Sequence, residues 1–259
     1  MMKLTPHHAI DSLRDLGFQI EFQSHAQAIL TVDFPEALIE LAEILADISI
    51  PIEEIIGSGG GETKGTQRLR RSLAAKGWPK RSFELTKTIN GIPRESISHE
   101  VDHVRQFPDN QLIALEIEWN NKDPFFDRDL ENFKRLHAEG AISVGIIITR
   151  GSSLQDGLKA LVRKFADDRN ILGFEDLASI GLSPTARQQS EITRRFTQTK
   201  NPMTFREAWV SHFVADKYGA ATTHWRKLED RIRRGVGNPC PLLLIGIPAN
   251  VVAMEPASD

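Results

Sequence analysis

Two acidic side chains interrupt an otherwise apolar run in the middle of the chain, and this run most constrains the fold. Leu112-Ile113-Ala114-Leu115 is followed by Glu116-Ile117-Glu118. In a β-strand, residues 116 and 118 point to one face of the sheet, and residues 115 and 117 point to the other. Two carboxylates on one face of a buried strand are costly unless a counter-charge is present. A divalent cation such as Mg²⁺ supplies that charge, whereas a solvated hairpin edge with ordinary surface acids is the open alternative.

The hairpin that precedes this strand selects a third acid. If its turn centres on Pro108 and Asp109, the residue numbers of each cross-strand pair add up to about 217–218. Asp102 is then paired with residue 115 or 116. Side chains that face each other across a hairpin have Cβ atoms roughly 5 Å apart. Asp102 and Glu116 can therefore bind the same ion. Asp109 is rejected as a ligand because it lies at the hairpin tip, roughly 20 Å from Glu116 along the strand.

The periodicity of the remaining chain predicts an α/β protein with one domain over residues 1–259. Between residues 64 and 149 the predicted order is helix, three strands, helix, strand. Asn90-Gly91-Ile92-Pro93 is predicted to form a turn between the first two of these strands. The predicted strands are 18–22, 28–32, 83–89, 96–105, 112–119, 141–149 and 241–247. The predicted helices are 33–48 with Asp33 as its cap, 64–76, 127–138, 154–167, 186–197, 204–217 and 222–234.

Composition excludes several classes of protein. With 259 residues, 40% of them apolar and 26% charged, the chain can form a full-sized core without a disulfide or metal staple. The single cysteine, Cys240, excludes an internal disulfide and a cysteine-based zinc site. No apolar run reaches the length of about 18 residues that a membrane span needs, and the N-terminus lacks the apolar stretch of a signal peptide. We therefore expect a cytoplasmic protein with no membrane partner.

Basic residues are concentrated in three blocks, although the net charge is −3. Residues 61–87 hold eight basic side chains against Glu62 and Glu84, and residues 187–206 hold five against Glu191. Residues 217–234 hold six against two acids. Such blocks either line a phosphate-binding cleft or are solvated helix faces, and charge alone does not decide between them.

The glycine run at residues 57–61 does not match a nucleotide-binding motif. A P-loop requires Gly-Lys-Ser/Thr, but Gly65 is followed by Thr66. The dinucleotide motif fails as well, because Lys64 stands where its third glycine would be. We expect a flexible turn that leads into the basic helix.

Several longer stretches carry a resemblance to a known family. They are Ser98-His99-Glu100-Val101-Asp102-His103, the run from Leu115 to Leu130 that contains E-W-N-N-K-D-P-F-F-D-R-D-L, and residues 142–150, 59–62 and 222–228. Over roughly residues 55–235 the chain resembles type II restriction endonucleases of the BglII/BstYI group, which are related to BamHI and belong to the PD-(D/E)XK nuclease superfamily.

The resemblance implies a PD-(D/E)XK core, an α/β fold with a mixed central β-sheet flanked by helices. It implies a catalytic core at about 55–150 and a C-terminal DNA-recognition part at about 185–247. The expected enzyme is a bacterial, cytoplasmic homodimer that cuts both strands of double-stranded DNA at a short palindromic site. One or two Mg²⁺ ions per active site and a cognate DNA methyltransferase in the same system are implied as well.

Residue roles follow from the same resemblance. Asp102 and Glu116 are implied metal ligands, together with the carbonyl of Ile117. Glu118 stands where most of the superfamily has lysine and BamHI-like members have Glu or Gln, so either this carboxylate or metal-bound hydroxide acts as the base. Glu62 resembles the additional polar residue that such enzymes bring from a helix, and it is equally a first-turn acid that the helix dipole favours.

DNA contacts are expected from two regions. Lys64, Arg68 and Lys122 are candidates for phosphate contacts, although Lys122 is equally a solvated loop residue. Residues 222–227 are predicted to open a helix capped by Thr222 or Thr223, and such an exposed helix start can enter the major groove. The alternative is a basic surface helix that contacts only the DNA backbone. The candidate base-reading residues are Thr222, Thr223, His224, Arg226 and Lys227.

Two other functions fit the same core. One is a different PD-(D/E)XK nuclease, which acts in repair or on modified DNA. The other is a non-catalytic DNA-binding protein, against which the complete set of acids argues. A discrete band pattern from plasmid digestion would separate a site-specific enzyme from the first alternative.

Overall fold

The computed structural model describes residues 5–57 and 63–254, which form a mixed α/β fold. The strands in these residues are β1 (Gln19–Gln23), β2 (Ile50–Pro51), β3 (Arg81–Ile89), β4 (Ile92–Val101), β5 (His103–Gln106), β6 (Leu112–Glu118), β7 (Val144–Arg150), β8 (Leu242–Ile247) and β9 (Val252–Ala253). The helices are α1 (Pro6–Asp15), α2 (Ala26–Val32), α3 (Pro35–Ala46), α4 (Ile52–Ile56), α5 (Lys64–Ala75), α6 (Phe125–Ala138), α7 (Ser152–Asp168), α8 (Phe174–Ser179), α9 (Ala186–Thr197), α10 (Phe205–Lys217) and α11 (Trp225–Arg233).

A mixed five-stranded sheet in the order β1-β8-β7-β6-β5 forms the centre of the fold. β6, β7 and β8 are parallel, whereas β5 and β1 pair antiparallel at the two edges. All residues of the three parallel strands are buried. Their continuous apolar runs follow from this burial, because helices cover both faces of a parallel sheet. The predicted α/β fold with a mixed central sheet flanked by helices is confirmed.

The two faces of β6 enter different layers of the core. Ile113, Leu115 and Ile117 pack in the larger cluster, to which α1, α3, α5, α7 and α10 contribute. Leu112 and Ala114 face the second cluster, which α6 and α11 cover. Residues 116 and 118 share the face of residues 112 and 114, so both glutamates are directed toward the α6 layer.

A glycine allows α6 to approach the sheet closely. Gly145 of β7 lies under Phe133 of α6, and a Cβ at position 145 would overlap the Phe133 ring. On the same buried face of α6, Phe126, Asp129 and Leu130 also point toward the sheet. Close packing of α6 therefore brings Asp129 next to Glu116 and Glu118 of β6.

The strands before β6 do not form the continuous meander that the sequence predicted. Among the described residues β3 and β4 pair with each other alone, around a turn in which Asn90 and Gly91 both have positive φ, 51° and 77°. The predicted strand 96–105 is divided, because β4 ends at Val101 and β5 joins the central sheet at His103. Asp102 lies at the break between the two sheets.

Two local predictions near the N-terminus are wrong. Residues 28–32 are helical rather than extended, and α2 buries Ala26 and Leu30, which are spaced one turn apart. A short apolar run of this kind does not distinguish a strand from a buried helix. Asp33 does not cap α3, whose N-cap is Phe34 without a side-chain hydrogen bond. No helix in the described part of the chain is long and apolar enough to cross a membrane.

Candidate active site

The β5–β6 hairpin brings Asp102 to Glu116. His103 pairs with Leu115, and the Asp102 amide donates a hydrogen bond of 3.4 Å to Oε2 of Glu116. The predicted register is therefore confirmed. Asp109 lies in the turn beyond Gln106, at the opposite end of β5, with a left-handed φ of 57°.

Glu116 and Glu118 are almost completely buried, each with 3% exposure. Burial, reinforced by the negative charge of Asp129, raises the pKa of each glutamate to about 9. One oxygen of Glu118, Oε2, accepts a hydrogen bond of 2.7 Å from Nδ2 of Asn121, and Arg128 Nη2 lies 3.6 Å from the other oxygen. Glu116 and Glu118 therefore form a site at which a bound cation would be stabilised.

Asp129 of α6 is a third buried acid, which the sequence reasoning did not single out. Its Oδ1 accepts hydrogen bonds from Nε and Nη2 of Arg128, at 2.8 and 2.7 Å. Its Oδ2 is buried and accepts from no N–H group of the described residues, and the carboxyl groups of Asp129 and Glu118 hydrogen-bond to each other when one of them is protonated. The sequence does contain one sign that Asp129 is buried. This acid lies on the same face of α6 as the apolar residues Phe126, Leu130 and Phe133.

His99 of β4 approaches the same acids. Its Nε2 lies 3.7 Å from Oε1 of Glu116, and burial lowers the pKa of its imidazole. One ligand atom from each of His99, Glu116 and Asp129 lies within 4.8 Å of the other two. His99 is part of the stretch that carries the family resemblance, but no spacing rule pointed to it.

The basic residues of α5 divide between two faces of the helix. A cleft of about 510 Å³ beside Asp102 is lined by Arg70, Arg71 and Lys80, and Lys80 Nζ lies 3.8 Å from Oδ1 of Asp102. Lys64 and Arg68 line a separate cleft of about 690 Å³. Arg68 there forms an ion pair with Glu54, with a second contact from Nη2 to Oε2 at 3.0 Å.

This division separates the predicted α5 residues from the cleft beside Asp102. Lys64 and Arg68 are four positions apart and share one face of the helix, whereas Arg70 and Arg71 lie on the face toward Asp102. Glu62 lies outside the described residues. Thr63 caps α5 by accepting a hydrogen bond from the Thr66 amide.

Comparison with known families shows the family of the chain. The family model of the restriction endonuclease BglII/BglIII matches residues 18–247. The chain belongs to this family. No curated protein matches the chain. Restriction endonucleases cleave DNA, so the acids of β6 lie in a DNA endonuclease.

The residues of this endonuclease fit a divalent cation. Three buried carboxylates, those of Glu116, Glu118 and Asp129, converge beside Arg128. Asp129 and Glu118 lie close enough to hydrogen-bond to each other, so a cation that displaced their shared proton would meet oxygens of both side chains. Carboxylate oxygens are the ligands that Mg²⁺ and related ions prefer, and a buried excess of negative charge is stable only with a counter-ion.

The start of α11 in the endonuclease differs from the prediction. The helix begins at Trp225, and its N-cap residue is His224, which forms no capping hydrogen bond with its side chain. Thr222, Thr223 and His224 are buried with 9%, 0% and 6% exposure. The predicted cap by Thr222 or Thr223 and the predicted exposure of these three residues are therefore wrong.

Arg150 at the end of β7 is the physical reason for that burial. Its guanidinium is buried, and Nη2 donates hydrogen bonds of 2.7 Å to Oγ1 of Thr222 and to the carbonyl of Thr223. Its Nε donates to the carbonyl of Trp119, also at 2.7 Å. Burial of His224, together with the charge of Arg150, lowers the pKa of this histidine to about 4. Arg150 thus joins the end of β6 to the segment before α11.

The remaining DNA-contact candidates are accessible. Lys122 is exposed, forms a β-bridge with Thr222 and lines a cleft of about 570 Å³. Arg226 is exposed and pairs with Asp156, whereas Lys227 Nζ lies 3.4 Å from a carboxylate oxygen of Asp123. These three cations can reach a ligand without a rearrangement of the core.

Proposed function

We propose that this endonuclease is a Mg²⁺-dependent type II enzyme that cuts both strands of a short palindromic site in double-stranded DNA. The observation that carries the proposal is the contact between Asp102 and Glu116 across the β5–β6 hairpin. Asp102 is partly exposed, whereas Glu116 beside it is almost completely buried. Lys80 and Arg71 line the solvent-accessible cleft next to Asp102.

Asp102, Glu116 and the carbonyl of Ile117 would hold one or two Mg²⁺ ions. Bound there, Mg²⁺ supplies a Lewis acid that polarises the scissile phosphate and lowers the pKa of water. The protein positions the remaining groups. Glu118, held by the Asn121 amide and by Arg128, orients the attacking water. It accepts the proton of that water only where a bound cation lowers its pKa from about 9; otherwise the proton passes to solvent. The water oxygen forms a bond to phosphorus as the bond to the 3′-oxygen breaks, and the leaving 3′-oxygen takes up a proton from solvent.

The clefts on either side of the acids suggest the path of the DNA backbone. Arg70, Arg71 and Lys80 border Asp102, and Lys122 follows the end of β6 on the other side. We assign phosphate contacts to these four side chains in preference to Lys64 and Arg68. Such contacts position the duplex but do not select its sequence. Arg226 and Lys227 are the base-contact candidates that remain accessible.

The wider assignment follows from the same chemistry. Cutting both strands of a palindrome requires two active sites related by a two-fold axis, so the enzyme would be a homodimer. It would act in the bacterial cytoplasm beside a cognate DNA methyltransferase that protects the host site. Residues 1–259 would form one domain, with the catalytic core at about 55–150 and recognition at about 185–247. A catalytic role for Glu62 stays a prediction.

Digestion of a sequenced plasmid tests the proposal. With Mg²⁺, the wild-type protein should give discrete bands, and sequencing of the ends should show one palindromic motif at every cut. Glu116→Gln, which keeps the shape of the side chain, is the matched inactive control. A smear of random fragments would favour a different PD-(D/E)XK nuclease, and intact plasmid under every divalent cation would refute the proposal.

A further inference from the structure

The stretch of chain that follows β6 is hydrogen-bonded to the stretch that precedes α11. The Thr223 amide donates a hydrogen bond of 2.9 Å to the carbonyl of Asn121. In return, the Asn121 amide donates one of 3.1 Å to Oγ1 of Thr223. The next residues along, Lys122 and Thr222, form a β-bridge. The two stretches are 100 residues apart in sequence, yet they are held together like a pair of short strands.

Helix α11 is attached to the same unit by its side chains. The Asp123 amide donates a hydrogen bond of 3.0 Å to the carbonyl of Ala221, which extends the paired stretch by one residue. Oδ2 of Asp123 lies 3.4 Å from Nζ of Lys227 and 3.2 Å from Nη2 of Arg231, both on α11. Lys227 is also a candidate for contact with DNA bases. A DNA contact that draws Lys227 away from Asp123 therefore changes what holds the stretch after β6.

The other end of this unit reaches Glu118. Nδ2 of Asn121 donates a hydrogen bond of 2.7 Å to Oε2 of Glu118, whereas Arg128 lies 3.6 Å from the other oxygen. The terminal torsion of a glutamate has only broad preferences of its own, so a hydrogen-bond donor decides the plane of the carboxylate. The Asn121 amide is thus the group that orients Glu118 most closely.

Thr223 acts on this arrangement from a buried position. Its exposure is 0%, so its hydroxyl faces Asn121 rather than DNA. Loss of the hydroxyl would leave the main-chain amide of Asn121 without its acceptor, which costs free energy in a buried setting. Thr223 therefore influences Glu118 through Asn121, although the sequence suggested a base contact.

We propose that Thr223 and Asn121 are positioning residues through which α11 controls the orientation of Glu118. This inference rests on the proposed nuclease role of Glu118. In one state Lys227 is paired with Asp123, and in the other it contacts a DNA base instead. The paired stretches then move with α11, and the Asn121 amide turns the Glu118 carboxylate toward the attacking water. Because the two states differ in these contacts, correct base contacts raise the rate of cleavage as well as the affinity.

Two substitutions of one residue separate the hydroxyl from the shape of the side chain. Thr223→Val keeps the shape and removes the hydroxyl, whereas Thr223→Ser keeps the hydroxyl. On the duplex that plasmid digestion identifies, we expect Thr223→Val to lower the single-turnover cleavage rate with Mg²⁺ about tenfold or more. Its affinity for the same duplex, from a mobility-shift titration without divalent cations, should stay within about twofold. Thr223→Ser should cut at nearly the wild-type rate.

A double variant tests whether Thr223 acts through Asn121. Asn121→Ala keeps both main-chain hydrogen bonds but removes the donor to Glu118, and it should slow cleavage at least as much as Thr223→Val. The variant with both changes should be no slower than Asn121→Ala alone, because the two residues form one path. Losses that add up would overturn the proposal. If Thr223→Val does not fold, Asn121→Ala alone carries the test on the duplexes described next.

A duplex with one changed base pair shows whether recognition reaches Glu118. The wild type should cut this duplex more slowly than the cognate one even when both are fully bound. In Thr223→Val and in Asn121→Ala the ratio of the two bound-state rates should fall toward one. A merely structural defect would slow both duplexes alike and leave the ratio unchanged, which would overturn the proposal.

Hydrogen exchange of the Asn121 side-chain amide tests the link without DNA or metal. NMR of the full chain labelled with ¹⁵N-asparagine follows this amide, which Asn121→Ala identifies by its loss. Exchange should be about tenfold faster in Thr223→Val and unchanged in Thr223→Ser. Equal exchange in Thr223→Val and the wild type, both folded by circular dichroism, would overturn the link whether or not the enzyme cuts. A wild type that cuts no DNA but shows this dependence on Thr223 would refute the nuclease proposal while supporting the link to Glu118.

Discussion

The amide of Asp102 donates a hydrogen bond of 3.4 Å to Oε2 of Glu116, and this contact joins the end of the β3–β4 hairpin to the middle of the central sheet. Asp102 lies between two strands that belong to different sheets, so its side chain is partly exposed while Glu116 is buried. A ligand can therefore enter on the Asp102 side and meet a carboxylate held rigidly by β6.

Asp102→Ala and Glu116→Ala are each expected to abolish cleavage, because each removes a ligand of the proposed Mg²⁺. DNA binding should persist or improve, since these acids repel phosphates when no cation is bound. Plasmid digestion measures the first effect, and a mobility-shift titration without divalent cations measures the second. Asp109→Ala is the control and should cut normally. An inactive Asp109→Ala together with an active Asp102→Ala would show that the proposed ligands are wrong.

Stability of the metal-free protein should decrease as the pH rises. Burial and the charges of Asp129 and Asp102 raise the pKa of Glu116 from 4.5 to about 9. The folded chain therefore retains a proton that the unfolded chain loses across this range. The stabilisation is complete below pH 4.5 and is lost as the pH rises through about 9, by up to about 1.4 kcal/mol per pH unit.

Urea unfolding at several pH values in this range, with a chelator present, measures the slope. Glu116→Gln should reduce the slope, because the amide does not ionise, and Glu118, whose pKa is raised in the same way, should supply what remains of it. Glu139→Gln changes an exposed glutamate at the end of α6 and should leave the slope as it is. Equal slopes in the wild type and Glu116→Gln would contradict the prediction.

Arg150→Lys should reduce the free energy of unfolding by about 3 kcal/mol. An ammonium group cannot replace the planar guanidinium that donates to the carbonyls of both Trp119 and Thr223, so at least one buried acceptor loses its donor. Arg169→Lys is the matched control, an exposed arginine with an ion pair to Glu53, and should cost less than about 1 kcal/mol. Denaturant titrations of both variants check the difference, and equal losses would argue against the role of Arg150.

Arg226→Ala and Lys227→Ala separate base reading from backbone contact. A base-reading side chain should lose about 1–3 kcal/mol on its own site and little on a scrambled duplex. A phosphate contact should weaken both duplexes equally and reduce the salt dependence. Titrations against both duplexes at two salt concentrations measure this. Equal losses for both variants would move base recognition elsewhere, with residues 187–206 as the next candidate.

The protein should form a dimer with twice the 29.0 kDa mass of the chain. Two active sites must face the two strands of a palindrome, and a two-fold axis provides that arrangement. Light scattering after size-exclusion chromatography, with and without a cognate duplex, measures the mass. A monomer in both conditions would exclude the symmetric arrangement.

The sequence predicted the β5–β6 hairpin because its rules are local. Alternation assigned the faces of residues 112–118, and a constant sum of paired numbers placed Asp102 opposite residue 115 or 116, where the structure has Glu116. Asp129 was not found, since its role depends on how closely α6 packs onto Gly145. The burial of Thr223 was missed for a similar reason, because Arg150 reaches it from a strand far away in sequence. Neither tertiary contact leaves a periodic pattern in the chain.

The proposed chemistry and the proposed recognition are encoded at separate places in the chain. His99 and the four acids Asp102, Glu116, Glu118 and Asp129 all fall within residues 99–129, whereas Arg226 and Lys227 come from α11. Enzymes descended from one ancestral gene could therefore differ in the DNA sequence that they recognise while they keep the same active site. Arg150 limits that freedom, because its hydrogen bonds span both regions and any exchange of segments between relatives must preserve them.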